Sequence, residues 1–322
     1  MKQKSLIAVA CALCLLSGSV FAATINLKMA HVNSEQTTFQ KGLEKFKELI
    51  EKRSDGRIKA KIFANAQLGN ERDNIEGLQM GTLDVAVFST APLSAFVPNF
   101  DLLSAPMLFR DFDHAFAVAD GPLGKKLDEE LLTKQKIRNL GYIDTGSRHV
   151  YSTRPVRTLA DFRGLKIRVM ENSLHMDTFT AFGAIPTPMA SGDVFTALSQ
   201  GTIDAAENTM QYISTMKMYE VCKYVTKTGH FYGIMMICMS ERSFNKMSDD
   251  LKAIVLEAGR EASLYQRQLS EEENVTSEAL LKDRGVEIID IDRSELEKAL
   301  EPVYKKYKKV LKPELLEQIR AS

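Results

Sequence analysis

Tryptophan is absent from this sequence of 322 residues, and only four residues are cysteine. Cys11 and Cys14 form a CxxC pair, but both lie in an N-terminal segment that we predict to be removed, so no redox centre is expected there. Cys222 and Cys238 remain. An oxidising compartment would allow them to pair, yet buried cysteine often packs as a small apolar side chain, and we favour two free thiols.

Signatures of common enzymes and nucleotide-binding proteins are also missing. Residues 23–322 contain no GxGxxG, Walker loop, HExxH or GxSxG pattern. The histidines lack the spacing of metal ligands; they are His31, His114, His149, His175 and His230. The sequence therefore predicts no metal and no other cofactor. A secreted enzyme is kept only as a remote alternative, and the attached modules typical of a sensor or an adhesive protein are missing.

Neither sign of charge is in excess, since 42 basic residues balance 42 acidic residues. Removing Lys2 and Lys4 with the N-terminal segment leaves 40 basic against 42 acidic residues, and such a near-neutral surface argues against nucleic-acid binding. After residue 22 no stretch approaches about 18 uncharged apolar residues, the length that a membrane-spanning helix needs. We therefore expect a soluble mature chain.

The N-terminus has the three parts of a secretory signal peptide. Lys2 and Lys4 precede an apolar run over residues 6–16, and Val20-Phe21-Ala22 has the small-x-small pattern of a cleavage site. We predict a signal peptide over residues 1–22, a mature protein that begins at Ala23, and export to the periplasm.

Strand and helix patterns alternate in the mature part. Strand patterns at residues 27–31, 58–62 and 83–88 alternate with a helical pattern over residues 39–50 and a second helix that ends near Met80. Strands that alternate with helices predict βαβ units and a largely parallel sheet.

A short duplication supports two similar lobes. Residues 81–86 (GTLDVA) have a counterpart in residues 201–206 (GTIDAA), and a helical pattern precedes both. About 300 residues exceed the size at which a single core usually keeps growing. A helix that starts at Ser248 meets no proline before Gly285, and at about 1.5 Å per residue it is long enough to bridge both lobes.

Two arginines in strand-like sequence are the most prominent candidates for a binding function. Arg148 lies in Gly146 to Tyr151, and Arg168 lies in Gly164 to Val169. The planar guanidinium can donate two parallel hydrogen bonds to a ligand carboxylate. The alternative, which the sequence supports equally, is a structural pair with an acidic side chain such as Asp144 or Asp177.

Two further polar residues lie at the ends of predicted elements. Asn208 ends the second copy of the repeat, where the carboxyl ends of parallel strands open into a crevice that ligands use. Glu71 lies at a helix start, where it either stabilises the helix N-terminus or accepts hydrogen bonds from ligand hydroxyls.

Five segments, in order, resemble the extracytoplasmic solute-binding subunits of tripartite ATP-independent periplasmic (TRAP) transporters, the DctP-like family. The resemblance covers essentially the whole mature chain. The segments that carry it are Gln67 to Arg72, Pro106 to Arg110, Gly164 to Val169, Pro186 to Met189 and Gly201 to Asn208.

The resemblance implies an α/β fold of two lobes that close on a carboxylate by hinge motion, with a long helix bridging them. It implies a first lobe of residues 23–145 with 234–273, and a second lobe of residues 146–233 with 274–322. The partners it implies are a small-molecule carboxylate and the small and large membrane subunits of the transporter. We expect a monomer.

The resemblance also assigns roles to individual residues. Arg168 looks like the principal carboxylate-clamping arginine, Arg148 like the second cationic contact, and Asn208 like the amide that holds the same group. Glu71 matches an acidic position that faces the ligand. The sequence has Ser89 and Pro92 where sialic acid binders of the family carry a glutamate and an arginine, which argues against sialate.

Hydroxyl-binding groups in the first lobe favour a polyhydroxylated acid, a hexuronate or an aldonate. Besides Glu71, the polar residues that we expect to contact its hydroxyls are His31, Ser89, Thr90 and Asn172. A C4-dicarboxylate is the main alternative within the same transporter class.

Overall fold

Strands and helices alternate along the chain in the computed structural model, which describes residues 24–321. The predicted signal peptide, residues 1–22, lies outside the described residues. The strands of the described part are β1 (Ile25–Ala30), β2 (Ile58–Phe63), β3 (Val85–Ser89), β4 (Ile137–Ser152), β5 (Lys166–Val169), β6 (Ile185–Pro188), β7 (Ala205–Thr209), β8 (Tyr224–Ser240) and β9 (Glu287–Ile289).

Thirteen α-helices lie within the same residues, and short 3-10 turns connect several of them. The helices are α1 (Thr38–Arg53), α2 (Glu71–Met80), α3 (Thr90–Leu93), α4 (Phe112–Ala119), α5 (Pro122–Gln135), α6 (Ser173–Ala181), α7 (Val194–Ser199), α8 (Met210–Thr215), α9 (Glu241–Phe244), α10 (Asp249–Asp283), α11 (Arg293–Ala299), α12 (Glu301–Lys306) and α13 (Pro313–Ala321). The predicted strands and helices of residues 27–88 are confirmed within a few residues at each end.

One continuous sheet contains the nine strands of the described part, in the order β2-β1-β3-β8-β4-β7-β5-β6, with β9 beside β8. β2, β1 and β3 are parallel, and so are β7, β5 and β6. The long strands β8 and β4 run antiparallel to each other and to their neighbours β3 and β7. The architecture is thus two parallel groups joined by an antiparallel pair, and the sequence did not reveal that pair.

The two copies of the repeat have the same local structure. Gly81 and Gly201 follow α2 and α7 with φ values of 73° and 67°, a left-handed conformation that favours glycine. Asp84 accepts a hydrogen bond of 2.7 Å from the backbone N–H of Lys28, and Asp204 accepts one of 3.0 Å from that of Lys166. Each aspartate therefore ties its own strand to the neighbouring parallel strand, and the predicted duplication is confirmed.

α10 is the long helix expected from the sequence, with 35 residues and a length of about 50 Å. Val255 near its start is buried in the apolar cluster around β1, α1 and β3, and Leu281 near its end is buried in the cluster around β7 and α8. Gly259 approaches β4 so closely that a Cβ atom there would lie 2.6 Å from the Cβ atom of Leu140. Neither α10 nor any other helix within residues 24–321 could cross a membrane.

The paired strands β4 and β8 pass from one parallel group to the other. Their register shifts at three places, and the middle shift lies between Asp144 and Gly146, opposite Ile234 and Gly233. Such a shift marks a β-bulge, where a strand bends and its twist increases. β4 and β8 therefore pass from one parallel group to the other at a point where their hydrogen-bonded pairing is irregular.

Both remaining cysteines are free and buried. Burial raises the pKa of the Cys222 thiol to about 12 and that of the Cys238 thiol well above its ordinary range. Because the thiolate is the reactive form, both side chains act as small apolar groups in this structure.

Candidate functional site

A cavity that is open to solvent, with about 540 Å³ of empty space including part of that solvent, lies at the ends of β3, β5 and β7. Five of the eight side chains that the sequence singled out line it: Glu71, Ser89, Arg148, Arg168 and Asn208. The other residues that line this cavity are Val32, Asn33, Thr37, Phe39, Thr145, Met170, Ser191, Thr209, Gln211, Tyr212, Thr215 and Met235. The cavity receives side chains from both parallel groups of the sheet.

Arg168 presents free donors to this cavity. It lies in β5 and is only 4% exposed, and its Nε donates a hydrogen bond of 2.8 Å to the carbonyl oxygen of Met189. Among residues 24–321, its Nη1 and Nη2 atoms have no hydrogen-bond partner. A buried guanidinium normally has a partner, so this one is prepared to bind an anion.

Arg148 differs because a buried carboxylate neutralises it. Its Nε and Nη2 atoms donate hydrogen bonds of 2.6 Å and 2.9 Å to the two carboxylate oxygens of Glu207, which is fully buried. The structural alternative considered for the arginines thus applies to Arg148, but with Glu207 as the partner. Asp144 and Asp177, the partners offered from the sequence, were wrong: Asp144 binds Tyr232 and backbone groups, and Asp177 pairs with Lys306.

The ion pair between Arg148 and Glu207 keeps both side chains ionised. Burial by itself raises the pKa of Glu207, but Arg148 and a hydrogen bond from His230 outweigh this effect and hold the pKa well below its ordinary value. Burial lowers the pKa of Arg148, and Glu207 more than compensates, so the pKa lies above its usual range. Both groups are therefore ionised, and together they carry no net charge.

Asn208 is oriented by this ion pair. Its Oδ1 atom accepts hydrogen bonds of 3.1 Å from Nη1 of Arg148 and 2.9 Å from the backbone N–H of Thr209. Because Oδ1 is bound to two donors, Nδ2 is the atom left for a ligand, and within residues 24–321 it has no acceptor. Arg168 and Asn208 together supply N–H donors from adjacent strands, β5 and β7, to one anion.

Glu71 enters the cavity from the other parallel group. It is the first residue of α2, and its Oε1 atom accepts hydrogen bonds of 2.9 Å from both the backbone N–H and the hydroxyl of Ser89. Burial raises the pKa of Glu71, while Ser89, Arg168 and Arg148 oppose that rise. The cavity thus contains both hydrogen-bond donors and an acidic acceptor.

Comparison with known proteins identifies the family. Residues 29–310 match the family described as bacterial extracellular solute-binding protein, family 7, or DctP. The chain belongs to this family. The resemblance found in the sequence is confirmed, and the protein is a TRAP-type periplasmic solute-binding protein.

Solved structures of DctP-family proteins superimpose closely. A TRAP solute-binding protein from Bordetella bronchiseptica, with density interpreted as pantoate, is 39% identical, with a TM-score of 0.89 over 92% of this chain and 99% of that chain. One from Polaromonas sp. JS666 bound to D-erythronate is 34% identical, with a TM-score of 0.89 over 92% and 98%. One from Sulfitobacter sp. NAS-14.1 bound to β-D-galacturonate is 32% identical, with a TM-score of 0.88 over 92% and 100%. The two-lobed α/β fold is confirmed.

Three residues that the resemblance placed among the ligand contacts do not line the cavity of this DctP-family protein. His31 is buried, and its Nε2 atom lies 2.8 Å from Oε1 of Gln40. The hydroxyl of Thr90 donates to the carbonyl oxygen of Ile234, and Thr90 lines a smaller neighbouring cavity of about 280 Å³. Asn172 caps α6. Each of these three side chains has a hydrogen-bond partner within residues 24–321.

Asn172 also connects the two parallel groups. Its Oδ1 atom accepts a hydrogen bond of 2.9 Å from the backbone N–H of His175. Its Nδ2 atom lies 2.9 Å from the carbonyl oxygen of Ala91, 2.8 Å from the hydroxyl of Ser94 and 2.9 Å from a carboxylate oxygen of Asp101. Arg168 lies in β5, and Asn172 follows that strand. Its hydrogen bonds therefore connect the segment after β5 to the segment after β3.

Replacing Asn172 with alanine should destabilise the fold by about 2 to 3 kcal/mol, because a helix cap and a buried donor are lost together. Asn70→Ala is a matched control, since Asn70 caps α2 through a hydrogen bond of 3.0 Å to the N–H of Asp73 and lies at a more exposed position. We expect about 1 kcal/mol for this control. Urea unfolding of both variants measures the difference, and equal losses would show that the bridge to Asp101 contributes nothing.

Several residues that line the cavity carry no signal in the sequence. Asn33 follows β1 in a loop, and Gln211 lies in α8, where its Nε2 atom donates to the hydroxyl of Thr38 and to Glu273. Neither residue lies in a periodic pattern or a known motif. Only contacts that join distant segments identify them.

Within residues 24–321, histidine, cysteine, aspartate and glutamate side chains form no cluster of three or more that could hold a metal ion.

Proposed function

We propose that this DctP-family protein binds a sugar acid, a hexuronate or an aldonate, and delivers it to the small and large membrane subunits of a TRAP transporter. The observation that carries the proposal is that two side chains on adjacent strands have donor atoms without a partner among residues 24–321: Nη1 and Nη2 of Arg168, and Nδ2 of Asn208. Relatives with this fold bind D-erythronate and β-D-galacturonate, which supports the same ligand class.

Each cavity residue has a distinct task in this proposal. Arg168 forms the principal contact to the ligand carboxylate, and Asn208 donates to the same group. Arg148, expected from the sequence to be a second cationic contact, is neutralised by Glu207 and instead holds Asn208 in place through its 3.1 Å hydrogen bond. Glu71 and Ser89 accept hydrogen bonds from ligand hydroxyls, since a carboxylate has only acceptors to offer.

Closure around the ligand is part of the same proposal. The first lobe comprises residues 23–145 with 234–273, and the second comprises 146–233 with 274–322. The register shift of β4 between Asp144 and Gly146 falls at the boundary between them, and bulged strands bend more readily than regular ones. We place the hinge there.

The protein acts by binding, without catalysis and without a cofactor or metal. It is exported through a signal peptide over residues 1–22, works in the periplasm as a monomer, and does not bind nucleic acid. Membership in a family of solute-binding proteins supports the first statement, and the nearly balanced charge supports the last.

Sugar acids should raise the melting temperature of the purified protein more than succinate, malate or sialate do. A ligand at about a hundred times its dissociation constant adds roughly 2.7 kcal/mol to the folded state, which corresponds to a shift of about 5 °C for a chain of this size. Scanning fluorimetry with glucuronate, galacturonate, galactonate and the dicarboxylates measures the shifts on protein that has been unfolded and refolded to remove bound ligand.

The pattern of shifts decides between the candidates. A shift with dicarboxylates alone would replace the sugar acid by the C4-dicarboxylate alternative. If no carboxylate changes the melting temperature of ligand-free protein, the proposed carboxylate clamp is wrong.

A further inference from the structure

The cavity has less free positive charge than its two arginines imply. Arg148 is matched by Glu207, with N–O distances of 2.6 Å and 2.9 Å, in a fully ionised pair. Arg168 is left as the cation available to a ligand among the side chains that line the cavity. One free cation matches one ligand carboxylate.

Glu71 adds an acidic side chain to the same cavity. Oε1 of Glu71 is bound to Ser89, and within the described residues Oε2 has no donor and no cationic side chain forms an ion pair with this carboxylate. A ligand hydroxyl can donate a hydrogen bond to Oε2. A second ligand carboxylate cannot, because it also has only acceptors.

The acidic character continues outward from Glu71. An adjoining cavity of about 690 Å³ shares Glu71 and Arg168 with the first, and it is also lined by Glu171 and Asp193. Both of these acidic residues are exposed. A ligand whose far end turns toward this opening therefore meets two more negative charges and no further lysine or arginine among the lining residues.

We propose that Glu71 is a specificity determinant that restricts the site to monocarboxylic hydroxy acids and rejects aldarates of the same length. The proposal rests on the carboxylate clamp proposed above and adds the ligand class. Two carboxylates forced together in a partly desolvated site repel each other strongly, so an unpaired acidic side chain selects against a dianion while it accepts a hydroxyl. Glu71 and Ser89 thus distinguish a hydroxyl from a second carboxylate at the end of the ligand that Arg168 does not bind.

Galactonate and galactarate form a suitable test pair, because they differ only in a terminal hydroxymethyl group that becomes a carboxylate. We expect the wild-type protein to bind galactonate at least 100-fold more tightly than galactarate in calorimetric titration. Glu71→Gln should reduce that ratio at least tenfold, chiefly by strengthening galactarate binding. Glu76→Gln, an exposed carboxylate on the same helix α2, should leave the ratio unchanged.

A ligand-side measurement keeps the test independent of any variant's folding. The monoamide of galactarate removes the second charge and should bind the wild-type protein at least tenfold more tightly than galactarate. Equal binding of galactonate, galactarate and the monoamide by the wild type would overturn the role of Glu71 while leaving the sugar-acid function intact. An unchanged ratio in folded Glu71→Gln would do the same, whereas no binding of any sugar acid would overturn the proposed function as well.

Discussion

Arg168→Ala should weaken binding of the sugar acid by about 2 to 5 kcal/mol, which corresponds to a loss of roughly 30-fold to several thousand-fold in affinity. The reason is that Nη1 and Nη2 of Arg168 are the free guanidinium donors in the cavity, while those of Arg148 are used by Glu207 and Asn208. The melting temperature of the ligand-free variant should change little, because Arg168 has a hydrogen bond to one carbonyl group and no ion pair within residues 24–321. Calorimetric titration gives the affinity, and a thermal melt gives the stability.

A conservative variant of Arg168 separates the effect of its positive charge on affinity from the effect of its planar donor geometry. Arg168→Lys keeps the positive charge but loses the planar pair of donors, and we expect a substantial loss of affinity from it too. Arg163→Lys, at an exposed position five residues earlier, is the control and should bind as the wild type does. Unchanged affinity in a folded Arg168→Ala variant would remove the clamp assignment.

Arg148→Ala is expected to destabilise the fold by about 3 to 5 kcal/mol, because it leaves Glu207 buried without its cation. For a chain of this size that loss corresponds to a melting temperature lower by roughly 10 °C. The contrast with Arg168→Ala is the distinguishing result: one arginine mainly affects stability and the other mainly affects affinity. Thermal unfolding of both ligand-free variants provides the comparison.

Two controls test the explanation by the buried pair. The double variant Arg148→Met with Glu207→Leu should be more stable than Arg148→Ala, since no charge remains buried without a partner. The pH dependence has a defined sign. The pKa of Glu207 is depressed in the folded protein, so its contribution to stability is full above its usual pKa of 4.5 and is lost as the pH falls below that value. Equal melting temperatures for Arg148→Ala and the wild type at pH 7 would contradict this account.

Much of the fold could be predicted from local sequence. The helical spacing of Phe39, Leu43 and Phe46 places them on the side of α1 that faces the core. The two GT-x-D segments form the same turn and strand in both parallel groups. These features depend on neighbours within a few residues, so periodicity and turn residues are sufficient to find them. The antiparallel pairing of β4 with β8 was not predictable in this way, because the paired residues are far apart in the sequence, from 72 positions for Ser152 and Tyr224 to 103 for Ile137 and Ser240.

The sequence by itself determined that the chain is an α/β protein of the DctP family, and it identified Arg148, Arg168, Asn208 and Glu71 as candidates for ligand binding. The resemblance pointed to Arg168 as the principal contact, but the residues themselves could not show which arginine keeps donors without a protein partner, because both lie in similar strand segments. Only the tertiary structure decided this, since Glu207 pairs with Arg148 across strands β4 and β7, 59 residues apart in the sequence. Charge pairing of this kind depends on distances between side chains in the folded protein, and the residue types and their order do not contain those distances.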